Sequence, residues 1–543
     1  MKSLTRHVRY RRDRSFVGNR FWPGADIGFR ATVRWQRVGI DTDQGPIRDP
    51  AYRSLIREDR MQGLKSPDHG GSANVRVALL AVAAILALVA FSPVAHASML
   101  TVSPDGVLLL KGKPYRGIGV NIADAFHRLY LHPGDFTYDR DFATLEAEGI
   151  PFARIPATAY APHDVRDYVL HRDAYLRKLD GVVQSAEKHH IGLILDLFWW
   201  HVAVPDIVHE PGSAWGDPAS RTIAFMREYT QTIVSRYKDS PSVWAWEFGN
   251  EFSLAADLPN AADWRPQINP IIGWPDKRTK ADDIRTPMIL VAFTEFAKAV
   301  LEVDPEAAIT TGNSIPRPNA ESQRKTLTWN SVDTRADFRT NLAMVNPDPM
   351  NMLQIHLYAF DLKRFRQSHV TYADIIEQAM RVAREQKKPL FIGEMSSATV
   401  WPELKSEDDV KRDFKARLDA ILEHKVPLSA VWQVSTSLTF ANDPLSISRD
   451  KDNGWMFDDI RAANDRIAAE LEAEQRIAEL MPQFEAAIAT VDLGAIVGLQ
   501  QLLVDRGYKP GTVDGQYGPS TKRALIACIA AGTCTRDDLP VPN

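Results

Sequence analysis

The chain has 543 residues, 45% of them hydrophobic and 25% charged, with a formal net charge of −4. Those fractions belong to a soluble globular protein with a full core, and the near-neutral balance gives no reason to expect a nucleic-acid partner. The length leaves room for several domains or for one large barrel with additions.

Residues 1–60 carry Arg6, Arg9, Arg11, Arg12, Arg14 and Arg20 without a sustained apolar period. They read as disordered, or as an extension created by an upstream start codon. Met61 is the better start: Lys65 and Arg76 precede an apolar run over 77–91, and Ala95, His96 and Ala97 stand before Ser98. Over 61–97 this is the layout of a secretory signal. The alternative is an uncleaved membrane anchor, for which about 15 apolar residues are short. Both readings imply export, to a periplasmic, cell-wall-associated or secreted location, and a membrane partner follows only if the segment stays uncleaved.

From Ser98 a short apolar run, a polar or aromatic loop and a longer amphipathic segment recur. Strands are expected at 115–122, 151–155, 191–197, 243–246, 307–311, 352–358, 390–393 and 428–433. Helices are expected at 138–148, 172–190, 220–237, 287–302, 334–345, 371–386 and 408–424, with an insertion over 254–283. Eight alternations point to an α/β fold, a (β/α)8 TIM barrel over 98–460. A doubly wound sheet competes, but no Gly-rich phosphate loop follows the first strand. Residues 461–490 read as a helical connector and 491–543 as a small all-α module. Cys528 and Cys534 can form a local disulfide in an exported protein, the alternative being two buried thiols.

Barrel enzymes carry their chemistry at the C-terminal ends of strands. Those ends supply Asn121, Arg154, Asp196, Asn250, Glu251, Asn313, His356, Tyr358, Glu394 and Trp432. A carboxyl on each side of one barrel mouth suits glycoside hydrolysis, where one protonates the leaving oxygen and the other attacks or assists at the anomeric carbon. Arg154 can hold Glu394 ionised, Tyr358 can hydrogen-bond it, and Asn250 can hold a sugar hydroxyl. Trp199, Trp200, Trp215, Trp264, Trp274, Trp401 and Trp432 are candidate stacking platforms. Glu247 precedes its strand tip and reads as structural, and Asp196 can orient a neighbour. His/Asp/Glu groups at metal-ligand spacing are lacking, so neither a metal nor another cofactor is expected.

The ordered set Phe152-Ala153-Arg154-Ile155-Pro156, Gly249-Asn250-Glu251, Ile355-His356-Leu357-Tyr358, Ile392-Gly393-Glu394 and Val431-Trp432 resembles glycoside hydrolase family 5, a family of retaining β-glycosidases that includes cellulases and mannanases. The resemblance implies Glu251 as acid/base, Glu394 as nucleophile, and Arg154, Asn250, His356 and Tyr358 in support. It makes Trp432 a sugar platform, and a β-linked polysaccharide or oligosaccharide the substrate. The family often has Asp-Leu-His at the third strand end where this chain has Asp196-Leu197-Phe198; His201, next to Trp200, is the candidate replacement. In the tail, Gly498 to Leu503, Gly507 to Gly511, Asp514-Gly515 and Gly518 to Thr521 resemble a peptidoglycan-binding type 1 module, which implies peptidoglycan contact. Two other classes stay open: a non-catalytic carbohydrate-binding or cell-wall-associated barrel, and a hydrolase of envelope glycans.

Overall fold

Eight short parallel strands, buried along their whole length, set the architecture of the protein, here described by a computed structural model covering residues 98–541 except 159–161, 367–368 and 441–442. The expected extension 1–60 and signal segment 61–97 lie outside the described residues.

The chain enters through a three-stranded antiparallel sheet, β1 (Leu100–Val102), β2 (Leu108–Leu110) and β3 (Lys113–Pro114). The large sheet follows: β4 (Gly117–Asn121), β5 (Phe152–Pro156), β6 (Gly192–Phe198), β7 (Val243–Gly249), β8 (Ala308–Thr310), β9 (Leu353–His356), β10 (Leu390–Met395) and β11 (Leu428–Val431). Its order is β8-β7-β6-β5-β4-β11-β10-β9, with every ladder parallel. The end strands meet where the Met352 amide donates to the Ile309 carbonyl at 3.0 Å and Asn351 accepts from the Ile309 amide and donates to the Ala307 carbonyl. This is a nearly closed (β/α)8 barrel.

Side chains alternate across a strand, so each strand feeds the barrel lumen with every second residue. At the bottom these are apolar: Phe152, Ile194, Trp244, Ala308, Phe391, Leu428 and Ala430 form one cluster that Leu100 and Leu108 of the entry sheet cap. One step higher the lumen turns polar. Asn121, Arg154, Asp196, Glu247, Gln354 and His356 are all buried there. The outward residues pack against the helices, for example Leu193, Leu195 and Phe248 against Ile233, Phe293 and Phe296.

The expected helices form as Tyr138–Ala147, Arg172–Lys188, Arg221–Tyr237, Thr286–Leu301, Arg335–Met344, Tyr372–Gln386 and Glu407–Glu423. Several begin on the cap their sequence encodes, such as the reciprocal Thr334/Asp337 and Thr371/Asp374 capping boxes. The insertion after β7 carries short helical turns at Phe252–Ala255, Ala261–Trp264 and Lys280–Asp282. Arg278 pins it by pairing both oxygens of Asp206 at 2.7 Å.

The region after the barrel is one helix of 34 residues, Trp455–Ile488. Its first half, through Met456, Phe457, Ile460, Ala463 and Ile467, completes the barrel core. Its second half, through Leu480, Met481 and Phe484, joins Leu499, Leu503, Leu525 and Ile529 of the helices Leu493–Asp505 and Pro519–Ala530. Cys528 and Cys534 are joined by a disulfide. No helix among the described residues is long and apolar enough to cross a membrane.

Candidate active site

Arg154 is the hub of the barrel mouth. It points inward from β5, is fully buried, and places all five of its N–H donors. Nε reaches Glu247 Oε1 at 2.7 Å, Nη1 reaches Asn121 Oδ1 at 3.1 Å and Glu394 Oε1 at 2.8 Å, and Nη2 reaches Asn250 Oδ1 at 2.8 Å and Asp196 Oδ2 at 3.4 Å. Burial opposes the guanidinium charge, but Glu247 and Glu394 outweigh it and raise the Arg154 pKa. Burial, together with the facing Glu247, pushes the Asp196 carboxyl well up.

Glu394 stands at an irregularity in β10. The register with β9 shifts between Ile392 and Glu394, which turns the carboxyl to the mouth. There Tyr358 O–H donates to Oε2 at 2.6 Å while Arg154 holds Oε1. Two donors on separate oxygens fix the orientation of the carboxyl.

Glu251 follows β7 in the left-handed conformation, φ 54° and ψ 31°. That region costs a non-glycine residue roughly 1–2 kcal/mol, and the surroundings hold it: the Glu251 amide donates to Gly312 O at 2.8 Å. Gly312, at φ +71°, cannot be larger, because a Cβ would sit 1.5 Å from Gly249 O. Burial raises the Glu251 pKa, with Ser314, Arg154 and Arg317 acting the other way. Its Oε1 lies 2.9 Å from His356 Nδ1. His356 is fully buried, which depresses its pKa to about 4 and keeps it neutral near pH 7.

A ligating oxygen of Glu251, a ring nitrogen of His356 and an oxygen of Glu394 lie within 4.8 Å of one another. Spacing alone would suit a cation. Arg154 already supplies positive charge at Glu394 and Tyr358 occupies its other oxygen, while His356 Nδ1 lies between the two carboxyls, 2.9 Å from Glu251 Oε1 and 3.5 Å from Glu394 Oε2. Inverting glycosidases separate their carboxyls by about 6.5–9.5 Å to seat a water, whereas retaining ones hold them about 5–5.5 Å apart. Here one oxygen of Glu251 and one of Glu394 lie within 4.8 Å of each other.

Of the other predicted residues, Asn250 turns its carbonyl to Arg154, which leaves its amide N–H groups for another acceptor. Trp432 stacks with Trp199 at 6.1 Å, and Trp199 lies under the Arg154 guanidinium at 5.1 Å. Trp200 is half-buried, and its Nε1 is sealed from solvent without a hydrogen-bond partner among the described residues. His201 does not join the carboxyls. Its ring packs edge-on to Phe252 at 6.0 Å, its carbonyl accepts from Trp215 Nε1, and burial lowers its pKa to about 4. Phe198, in the third-strand position, packs into the wall against Trp215, Tyr229 and Phe296. Two platform candidates are corrected: Trp215 is fully buried among Phe198, Phe248 and Phe252, and Trp401 is buried against Tyr358 and Phe360. Gln354, two residues before His356, escaped the sequence reading although its inward position follows from the strand period.

With this geometry stand the comparisons with known proteins. The family described as Cellulase (glycosyl hydrolase family 5) matches residues 111–436. The chain therefore belongs to glycosyl hydrolase family 5, whose members cleave glycosidic bonds. Among curated proteins, the probable mannan endo-1,4-beta-mannosidase A-1 of Aspergillus terreus is 38% identical over 96 residues, 16% of this chain and 25% of that protein. The mannan endo-1,4-beta-mannosidase A of Hypocrea jecorina is 37% identical over 82 residues, 14% of this chain and 18% of that protein. The chain thus matches about a quarter or less of the length of these relatives. An endo-1,4-beta-mannanase structure from Rhizomucor miehei aligns with 68% of this chain and 99% of its own, at 16% identity and a TM-score of 0.49.

Proposed function

We propose that this glycoside hydrolase is a retaining enzyme acting on a β-1,4-linked polysaccharide or oligosaccharide, of mannan type before glucan type. The observation that carries the mechanism is the pairing of two carboxyls in unlike surroundings. Glu394 is fixed by Arg154 and Tyr358, while the partly buried Glu251 has its pKa raised by desolvation. In the first step Glu394 attacks the anomeric carbon, the glycosidic C–O bond breaks, and Glu251 gives its proton to the departing oxygen. In the second, water gives a proton to Glu251 as its oxygen attacks the same carbon, and the bond to Glu394 breaks. Asn250 offers its amide to the 2-hydroxyl, and Trp432 offers its face to the sugar ring at the cleavage position.

The preference for mannan rests on the names of the matched curated proteins, all of them mannan endo-1,4-beta-mannosidases. Export is supported by the 61–97 pattern and by the disulfide, a bond that persists in oxidising compartments. The C-terminal helices are proposed to hold the enzyme near peptidoglycan and so raise its local concentration at the wall.

The test is a panel of mannan, cellulose, mixed-linkage glucan and envelope glycans, with the anomer of the first product followed by NMR. Mannan cleaved fastest with retention is the expected result. An inverted first product would sink the mechanism, and turnover confined to envelope glycans would move the substrate to the wall itself. Glu251→Ala should lower kcat/KM by about 10²–10⁴-fold, and Glu394→Ala should abolish formation of the glycosyl-enzyme.

A further inference from the structure

From the hydrogen-bond geometry we infer that Gln354 is a positioning residue: it fixes the tautomer of His356 and thereby directs the acidic proton of Glu251 to the oxygen that faces substrate. The inference rests on the reading of Glu251 as the acid. It starts from a group whose role is unambiguous. The backbone N–H of Gly312 can only donate, and it lies 3.1 Å from Gln354 Oε1. Thr310 O–H donates to the same oxygen at 2.6 Å. The Gln354 amide is therefore oriented with its NH2 on the other side, 3.4 Å from His356 Nε2.

An N–H aimed at Nε2 requires that nitrogen to be the acceptor. In a neutral imidazole the proton then sits on Nδ1, which faces Glu251 Oε1 at 2.9 Å. If Oε1 accepts from Nδ1, protonated Glu251 must carry its hydrogen on Oε2. The other tautomer would present a lone pair at Nδ1, and the Glu251 proton would be drawn into an internal bond away from the leaving oxygen. Gly312 closes the circuit, since its carbonyl accepts the amide of Glu251 itself at 2.8 Å.

Local packing leaves little room for another arrangement. Gln354 and His356 are both fully buried, and a Cβ on Gly393 would lie 2.2 Å from Gln354 Nε2 and 3.1 Å from His356 Nε2. The charged or titratable groups facing the Glu251–His356 pair are Glu394, whose Oε2 is 3.5 Å from Nδ1, together with Arg154, Glu247, Arg317 and Asp361. None of them reaches Nε2 among the described contacts, so Gln354 is the side chain that acts on that nitrogen.

The decisive measurement is made on the unaltered full chain. With 15N-labelled histidine at neutral pH, the His356 signals, assigned by their loss in His356→Asn, should show the proton on Nδ1 and none on Nε2; a proton on Nε2 overturns the inference. In Gln354→Met both tautomers should appear. Its kcat/KM should fall about tenfold further on an oligosaccharide, whose leaving group needs the proton, than on the matching nitrophenyl glycoside, which needs little acid help. Equal losses on the two substrates would mean a merely structural role. Full turnover of the oligosaccharide by Glu251→Ala would instead remove the acid reading, while the tautomer of His356 would still be read directly.

Discussion

At the scale of single residues, the environment of each carboxyl translates into a pH or rate effect. Glu251 acts as an acid only while protonated, so kcat/KM should fall as pH rises through its pKa. Burial raises that pKa and moves the alkaline limb upward; Ser314, which hydrogen-bonds the charged form, pulls it back. Ser314→Ala removes the stabilisation of the charged form. The alkaline limb should therefore move to higher pH, and a shift to lower pH would contradict the assignment. Tyr358→Phe tests the other carboxyl. It deletes a 2.6 Å donor to Glu394 while keeping the ring that packs on Phe360 and Trp401. A hydrogen bond to a charged group is worth about 1.5–3 kcal/mol, so kcat should drop about 10–100-fold, with the melting temperature nearly unchanged.

At the scale of elements, the long helix Trp455–Ile488 offers a matched pair of substitutions. Phe457 and Phe484 are both fully buried, one in the barrel core and the other among the C-terminal helices. Truncating a core Phe to Ala costs about 3–5 kcal/mol. Phe457→Ala should lower the melting temperature of the catalytic unit, followed by loss of hydrolysis on heating. Phe484→Ala should speed amide exchange in the helices Leu493–Asp505 and Pro519–Ala530 and leave hydrolysis as it was.

The same scale shows what the sequence can tell. The eight barrel strands were legible because a strand buried on both faces reads as an unbroken apolar run, as in 191–197 and 243–246. The entry sheet was not: with two or three residues per strand it carries no period. The helices Pro162–Leu170, Ala203–Val208 and Ala320–Thr326 were hidden in what reads as loop. Glu251 and Glu394 could be named because polar groups ending apolar runs stand out. Gln354 and the burial of Trp215 could not, since an inward amide within a strand and a core indole look ordinary until the neighbouring strands are in place.

At the scale of the molecule, the question is where the catalytic unit stops, and ion pairs along the long helix mark the place. Glu470 and Glu474 reach Arg116 beside the barrel at 3.1 and 3.5 Å, and Glu474 also takes Lys425. From Arg476 onward the partners change: Arg476 donates to Ala530 O, Glu479 pairs with Arg536, and Glu485 pairs with Lys522. The apolar faces divide at the same point, because Leu480, Met481 and Phe484 pack only into the C-terminal cluster. In that cluster Gln500 staples the loop after its helix, donating to the Thr512 and Gln516 carbonyls and accepting from the Asp514 and Gly515 amides. A chain ending at residue 475 would therefore keep the barrel's ion pairs and core while removing the whole cluster and leaving no apolar half-helix exposed. It should hydrolyse soluble mannan with the kcat and KM of the full chain, and it should no longer co-sediment with insoluble peptidoglycan. Equal sedimentation of the two forms would remove the wall-binding role, and a fall in kcat on soluble substrate would show that the C-terminal helices support the barrel itself.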